Sequence, residues 1–358
     1  MTNKSKAILY IYAGGVKEVL LNGNARDNCS EPYINLKESI EKLGFSFEWE
    51  KKRDLEYYTW IIINDITGAG RLEFYRVILR RLKNFVTGKP VLNSYEEAVR
   101  RKMTDKLVLI IGEEAVIAPD NFRVKYHKNF QYVFTWSDRL IEEAADNNKY
   151  IKYFFPNTKI YPGIEEVPFD KKKLITIIAG NKYSKHPDEL YSERRNIIEF
   201  LQENYYDQFD FYGTGWNRKN GKQSIPGKNT CKYYKSYRGE VKNKWDILPK
   251  YKFTLCYENM LGEPGDVTEK IFDALRCKTV PVYLGAPNIS YYVDAGAYID
   301  RSKFNSDRQL LSYLENIGED EYKQFRNSGE NYLKSNKFKL FLSDNYVSTI
   351  VKILNLYE

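Results

Sequence analysis

The sequence predicts an α/β protein of two doubly wound, Rossmann-like domains facing one another across a cleft. Three observations predict it. Short apolar runs, each the length of a buried strand, alternate with amphipathic helical segments in both halves of the chain. An irregular stretch from Phe155 to Pro168, holding Pro156, Pro162 and Pro168, separates the halves. Several runs end in glycine or polar residues, where open parallel sheets bind ligands. The expected domains are residues 1–160 and 161–340, with 341–358 as a helix packing back toward the first.

In the first half, Ala7 to Tyr12 reads as a buried strand ending at Gly14-Gly15, and Glu31 to Leu43 as a helix with Ile34, Leu36, Ile40 and Leu43 as its apolar positions. Phe45, Phe47 and Trp49 alternate as a strand does, and Trp60 to Ile63 is a further apolar run. Leu72 to Phe85 reads as a basic amphipathic helix. A solvated face is the simplest account of it, and a membrane or nucleic-acid surface is the sharper one. Lys106 to Ile111 runs straight into Gly112-Glu113-Glu114. Two carboxylates at a strand end suit general-base work, and a charged turn is the plainer alternative. Tyr132 to Trp136 is another strand, followed by Ser137 as a helix cap.

The second half opens with the strand Leu174 to Ala179. A helix led by Tyr191-Ser192-Glu193-Arg194-Arg195 follows, then a strand from Phe209 to Tyr212 before Gly213-Thr214-Gly215. A basic loop spans Arg218 to Lys235. Tyr251 to Asn288 reads as one βαβ unit: a strand from Phe253 to Tyr257, a glycine-rich loop, a helix capped by Thr268, and a strand from Val280 to Leu284. Glu258 and Asn259 lie at the end of the first strand, and Asp266, Glu269 and Lys270 in the loop and first helical turn. A lysine there opposes its own helix dipole. A bound phosphate would remove the conflict, and a solvated Lys270 beside Glu269 and Glu263 is the alternative. Helices near Asp307 to Leu314 and Glu321 to Leu333, and one carrying Tyr346, Val347, Ile350, Val351 and Leu354, complete the chain.

Composition narrows the classes. The 358 residues allow two domains of ordinary size, and 42% hydrophobic with 29% charged residues marks a globular chain. The net charge of +8 favours anionic partners. Cys29, Cys231, Cys256 and Cys277 are widely spaced, so neither a zinc module nor a disulfide framework is indicated. His127 and His186 are the only histidines, which excludes a multi-histidine metal site. No apolar run reaches 18 residues and the N-terminus lacks a signal-peptide core, so a cytoplasmic protein is expected. The basic helix adds peripheral association with the inner membrane surface as an option.

Tyr251, Lys252, Phe253, Leu255, Glu258, Asn259, Val267, Thr268, Glu269, Lys270, Val280, Pro281, Val282 and Gly285 together resemble the C-terminal signature of glycosyltransferase family 10, the α-1,3/1,4-fucosyltransferases. Tyr257, Met260 and Asp266 depart from it, and Asp266 stands where the family has a donor-contacting tyrosine. The resemblance implies the GT-B architecture and a soluble, bacterial-type member. It implies Arg195, with Arg194 in reserve, as the ligand of the donor diphosphate. Pairing with Glu193 or Glu199 is the plainer reading of that arginine. It further implies Asn259, Asp266, Glu269 and Lys270 at the donor, and Glu113, with Glu114 in reserve, as catalytic base.

The chain holds no Asp-x-Asp, the pair that holds a divalent ion on the diphosphate in the other main transferase fold. The expectation is therefore an inverting transferase, using GDP-fucose and a glycan acceptor, with no cofactor, essential metal or nucleic acid. A GT-B enzyme with another nucleotide sugar is one rival. A non-catalytic polyanion- or polysaccharide-binding protein is the second.

Overall fold

The protein is described from a computed structural model, over residues 6–12, 26–49, 51–66, 94–144, 148–216 and 234–357. The Gly14-Gly15 turn, the basic helix from Leu72 and nearly all of the basic loop from Arg218 lie outside these residues. The chain divides into two compact units. Residues 1–25, 29–155 and 343–358 belong to one, and 26–28 with 156–342 to the other.

The first unit is built on a parallel sheet. Its strands are β1 (Ala7–Tyr12), β2 (Ser46–Glu48), β3 (Trp60–Asn64), β4 (Leu107–Ile110), β5 (Tyr132–Thr135) and β6 (Tyr150–Lys152), in the order β2-β1-β3-β4-β5-β6. Each central strand is apolar on both faces, as a covered parallel sheet requires. Ile8 and Tyr10 enter one core with Ile62, Val108 and Phe134, while Ala7 and Leu9 enter the opposite core with Ile61, Ile63 and Leu109. Helix α1 (Glu31–Lys42) covers the first of these faces through Leu36 and Ile40. The β6 strand escaped the sequence reading. Tyr-Ile-Lys is short, half-buried and at the sheet edge, so it carries no apolar run.

The second unit holds β7 (Lys173–Ile178), β8 (Phe209–Tyr212), β9 (Tyr251–Tyr257), β10 (Val280–Leu284) and β11 (Ile299–Asp300), all parallel, in the order β11-β10-β9-β7-β8. Helix α2 (Tyr191–Asn204) follows β7, and α3 (Glu269–Arg276) joins β9 to β10. The chain moves from β7 outward to β8, then returns to β9 on the other side of β7. That reversal leaves a switch point between β7 and β9, where such sheets bind ligands. The expected fold class, two α/β sheets of parallel strands, is the one found.

Helix α4 (Ser343–Ile353) belongs to the first unit. Its buried Tyr346, Val347, Ile350 and Val351 join the core that α1 covers. Each such side chain contributes about 1.5–3 kcal/mol by leaving water.

The Gly213-Thr214-Gly215 turn after β8 has a packing reason. Gly213 has φ +136°, and a Cβ there would stand 2.0 Å from the carbonyl oxygen of Ala179. Gly213→Ala should therefore lower stability by about 3 kcal/mol or more, read from denaturant unfolding. Gly163→Ala, at a position with open space, should stay within about 0.5 kcal/mol of the parent.

Candidate functional site: a cationic recess at the sheet switch point

A small recess of about 40 Å³ opens between β7 and β9 in the second unit. The end of β7, the second half of β9, α2 and α3 all reach it, and Arg194, Lys244 and Lys270 bring three cations to its wall. Its place follows from the topology, since the strands on either side of a switch point send their connections to opposite faces.

The buried Glu258 carboxylate organises one side. It follows β9 directly and is wholly enclosed. One oxygen accepts from the Thr268 backbone N–H at 3.0 Å, and the other from the Thr268 hydroxyl at 2.7 Å and the Lys270 ammonium at 2.8 Å. Thr268 is the N-cap of α3, yet its hydroxyl makes no cap bond to the helix; it points to Glu258 instead. The carboxylate itself sits at the positive end of the α3 dipole. Burial pushes the Glu258 carboxyl up, and the Lys270 ammonium pulls it back. Gly285 leaves room for this group, because a Cβ there would stand 2.5 Å from Glu258 Cγ. The conflict between Lys270 and its helix dipole is thus resolved within the chain, by a carboxylate four residues past the middle of β9.

Lys244 supplies a second buried pair. Its ammonium lies 2.7 Å from Asp273, 3.7 Å from Glu269 and 3.8 Å from Asp27. Burial opposes its charge, but Asp273, Glu269 and Asp27 outweigh burial and hold the ammonium above its ordinary range. The Glu269 side chain is partly exposed. Desolvation works against its charge, yet Lys270 and Lys244 hold its carboxyl down to about 2. Burial raises Asp273, against the pull of Lys244. Asp27 arrives from the short segment Arg26–Asn28, and its carboxylate also accepts the Lys244 backbone N–H at 3.0 Å.

Arg194 forms the third side. It is buried, and its guanidinium donates to the Tyr257 carbonyl at 2.6 Å and to the Asn259 side-chain oxygen at 3.0 Å. Asn259 thereby ties the end of β9 to α2, and its carbonyl takes the Leu190 N–H at 2.9 Å. Arg195, one residue on, points elsewhere and donates to the Lys182 carbonyl. Asp266 is buried in the β9–α3 loop and does not line the recess; its carbonyl accepts from the Tyr283 hydroxyl at 2.9 Å.

Of the expected donor residues, Lys270 lines the recess together with Arg194, the reserve arginine. Asn259 stands behind the wall, bonded to Arg194, and Glu269 beside Lys244 and Lys270, while Arg195 and Asp266 reach neither the wall nor these cations. Glu113 belongs to the first unit. It follows Gly112 after β4, half-buried, with Glu114 fully buried beside it. Sequence reasoning missed Lys244, Asp273 and Asp27. Only Asp273 carried a signal, as an acid set among the core residues Ile271, Phe272, Ala274 and Leu275. Among the described residues, no group of three or more His, Cys, Asp or Glu side chains could hold a metal ion, and no helix is long and apolar enough to cross a membrane.

Residues 168–339 match the family model described as "Glycosyltransferase family 10 (fucosyltransferase) C-term". That match lies wholly within the second unit and covers just under half of the chain. Curated relatives match parts of the chain. An alpha-(1,4)-fucosyltransferase of Arabidopsis thaliana is 40% identical over 87 residues, 23% of this chain and 21% of that protein. The alpha-(1,3)-fucosyltransferase FucT of Helicobacter pylori is 38% identical over 74 residues, 21% and 15% of the two chains. The 4-galactosyl-N-acetylglucosaminide 3-alpha-L-fucosyltransferase 9 of Mus musculus is 27% identical over 175 residues, 48% and 40%. The chain thus spans less than half the length of these relatives.

Solved structures extend the likeness beyond the segment that the family model matches. A crystal structure of an alpha1,3-fucosyltransferase aligns over 100% of this chain and 94% of its own, with a TM-score of 0.54 and 16% identity. T4 phage BGT in complex with UDP and Mn2+ aligns over 98% and 99%, with a TM-score of 0.51 and 13% identity. At such identities the likeness is one of fold, the GT-B fold.

Replacing Lys270 tests the buried pair in the second unit. Lys270→Met leaves Glu258 enclosed without its ammonium, at a cost of about 3–5 kcal/mol near neutral pH. Removing the cation raises the Glu258 carboxyl further, so the folded state holds a proton that the unfolded state releases. The deficit should then shrink as pH falls through that raised value toward about 4.5, the ordinary range for an unfolded Glu. Denaturant titrations of both proteins at several pH values read this directly.

Proposed function

We propose that the chain is an inverting glycosyltransferase that moves L-fucose from GDP-fucose to a hydroxyl of a glycan. One observation carries the reading: Arg194, Lys244 and Lys270 converge on a recess at the sheet switch point, within the segment that the family model matches. A nucleoside diphosphate is the ligand such a wall suits. Arg194 offers a planar fork to two phosphate oxygens, and the start of α3 adds the positive end of a helix dipole. Asn259 and Glu269 are assigned to ribose or sugar hydroxyls.

The reaction is one displacement. Glu113 of the first unit takes the proton of the acceptor hydroxyl. The acceptor oxygen forms a bond to the anomeric carbon as the bond to the diphosphate oxygen breaks. The diphosphate leaves with the electron pair, and the cations stabilise its growing charge. Configuration at the anomeric carbon inverts. Charge neutralisation by Arg and Lys makes a divalent ion unnecessary in this scheme.

A second reading keeps the reaction and changes the donor sugar. Asp266, buried in the β9–α3 loop, stands where the family resemblance places a donor-contacting tyrosine, and it favours this alternative. The polyanion-binding reading has less support, because Lys244 and Lys270 are largely buried and paired with carboxylates instead of forming an open basic surface.

Incubation with GDP-fucose and 4-galactosyl-N-acetylglucosaminide, the acceptor named for the mouse relative, should release GDP and yield a fucosylated product. Excess EDTA should leave the rate unchanged. Release of nucleotide from GDP-mannose or a UDP-sugar, with none from GDP-fucose, would move the donor to the second reading. Glu113→Gln should lower kcat by about 10²–10⁴-fold with GDP affinity retained.

A further inference from the structure

A buried carboxylate in the first unit grips the backbone that carries Glu113. Asp65 follows β3 and is enclosed. One of its oxygens accepts three hydrogen bonds, from the Gly112 N–H at 2.7 Å, the Glu113 N–H at 2.9 Å and the Asn121 amide at 2.7 Å. Its other oxygen accepts the Asn64 amide at 2.7 Å. The same Asn121 amide donates to the Glu113 carbonyl at 3.1 Å, and Trp136 donates its indole N–H to the Gly112 carbonyl at 3.3 Å. Both N–H groups and both carbonyls of the Gly112-Glu113 segment are therefore held.

The grip is itself braced. Tyr10 donates to Asn64 at 2.7 Å, fixing which way that amide faces. The Asn121 side-chain oxygen takes the Ile66 N–H at 2.7 Å, and its backbone carbonyl lies 2.8 Å from the His127 ring. Asp65 has φ +66°, the left-handed region, where a non-glycine residue is strained. A Cβ on Gly112 would stand 2.9 Å from the Asn64 amide and 3.1 Å from the Asp65 carboxylate. The glycine lets the carboxylate close on the segment. Burial pushes the Asp65 carboxyl up, while the four donors draw it down. A fold that needed only a turn after β4 could be built without a buried carboxylate, a strained residue and four converging donors.

We propose that Asp65 is the positioning residue for Glu113, setting the direction in which that side chain leaves the β4 strand end, with Asn121 as its second arm. The proposal rests on the reading of Glu113 as the base. Asp65 touches no substrate in it; all its effect passes through the Gly112-Glu113 backbone. A base must meet the acceptor proton within hydrogen-bond reach, and a misplacement of about 1 Å can cost 10²-fold in rate.

The test is a double-mutant cycle on GDP release from GDP-fucose with 4-galactosyl-N-acetylglucosaminide. Asp65→Asn puts an amide where one carboxylate oxygen was, opposite donors that need an acceptor. It should lower kcat by about 10–100-fold while KM for GDP-fucose and the Kd for GDP stay within about twofold of the parent. In a Glu113→Gln background it should cause no further loss, because the group it positions is gone. An equal loss in both backgrounds, or a kcat unchanged by Asp65→Asn, overturns the proposal and leaves the base assignment standing. A fully active Glu113→Gln overturns the base assignment and the proposal with it. If Asp65→Asn does not fold, Asn121→Ala removes one donor to Asp65 and one to the Glu113 carbonyl, and the same two comparisons decide.

Discussion

The ion pair between Glu258 and Lys270 is the constraint on which the second unit depends. It joins the end of β9 to the first turn of α3 across a loop that holds Gly262, Pro264 and Gly265. An enclosed carboxylate is costly unless its oxygens are filled. Here they take a backbone N–H, a hydroxyl and an ammonium, all from the start of α3. The pair therefore fixes where the helix begins, and with it the place of Lys270 on the recess wall. Gly285 at the end of β10 is small for the same reason. Sheet order, helix start and the neighbouring turn are linked through one buried group.

The recess is closely balanced in charge. Arg194, Lys244 and Lys270 stand against Glu258, Glu269 and Asp273, with Asp27 at its edge. Such balance keeps three cations in place in a sheltered site without a ligand, each held by oxygens that fix its direction. In the proposed function, a diphosphate enters a wall already oriented, and little reorganisation accompanies charge growth on the leaving group. The first unit applies the same device to a different end. At Asp65 a buried acid serves backbone donors, so what it holds is a stretch of chain and the carboxylate that stretch presents.

Much of this was legible in the sequence because parallel strands covered on both faces read as unbroken apolar runs. Leu107–Ile110 and Val280–Leu284 could be placed almost to the residue. The three-residue edge strand at Tyr150 could not, since an edge strand buries too little to leave a run. Glu258 and Lys270 were visible as polar residues at the right ends of their elements. Their pairing was not, because it depends on a turn that brings residues twelve apart within 2.8 Å. The choice between Arg194 and Arg195 was equally closed. Adjacent helical residues point about 100° apart, and only the packing of α2 decides which faces the sheet. Lys244 and Asp27 lie outside periodic segments, so nothing in the local pattern marked them. Asp65 is visible at the end of the Trp60–Ile63 run, but its hold on Gly112 and Glu113 depends on residues 47 and 48 positions away.

Calorimetric titration with GDP, on the parent protein, Arg194→Met and Arg195→Met, tests the central claim most directly. The account predicts that GDP binds, that Arg194→Met weakens it at least tenfold, and that Arg195→Met changes it by less than about threefold. Binding that survives Arg194→Met and is lost in Arg195→Met would contradict the place assigned to the diphosphate. No binding of GDP to the parent protein would contradict the donor-site reading of the recess altogether.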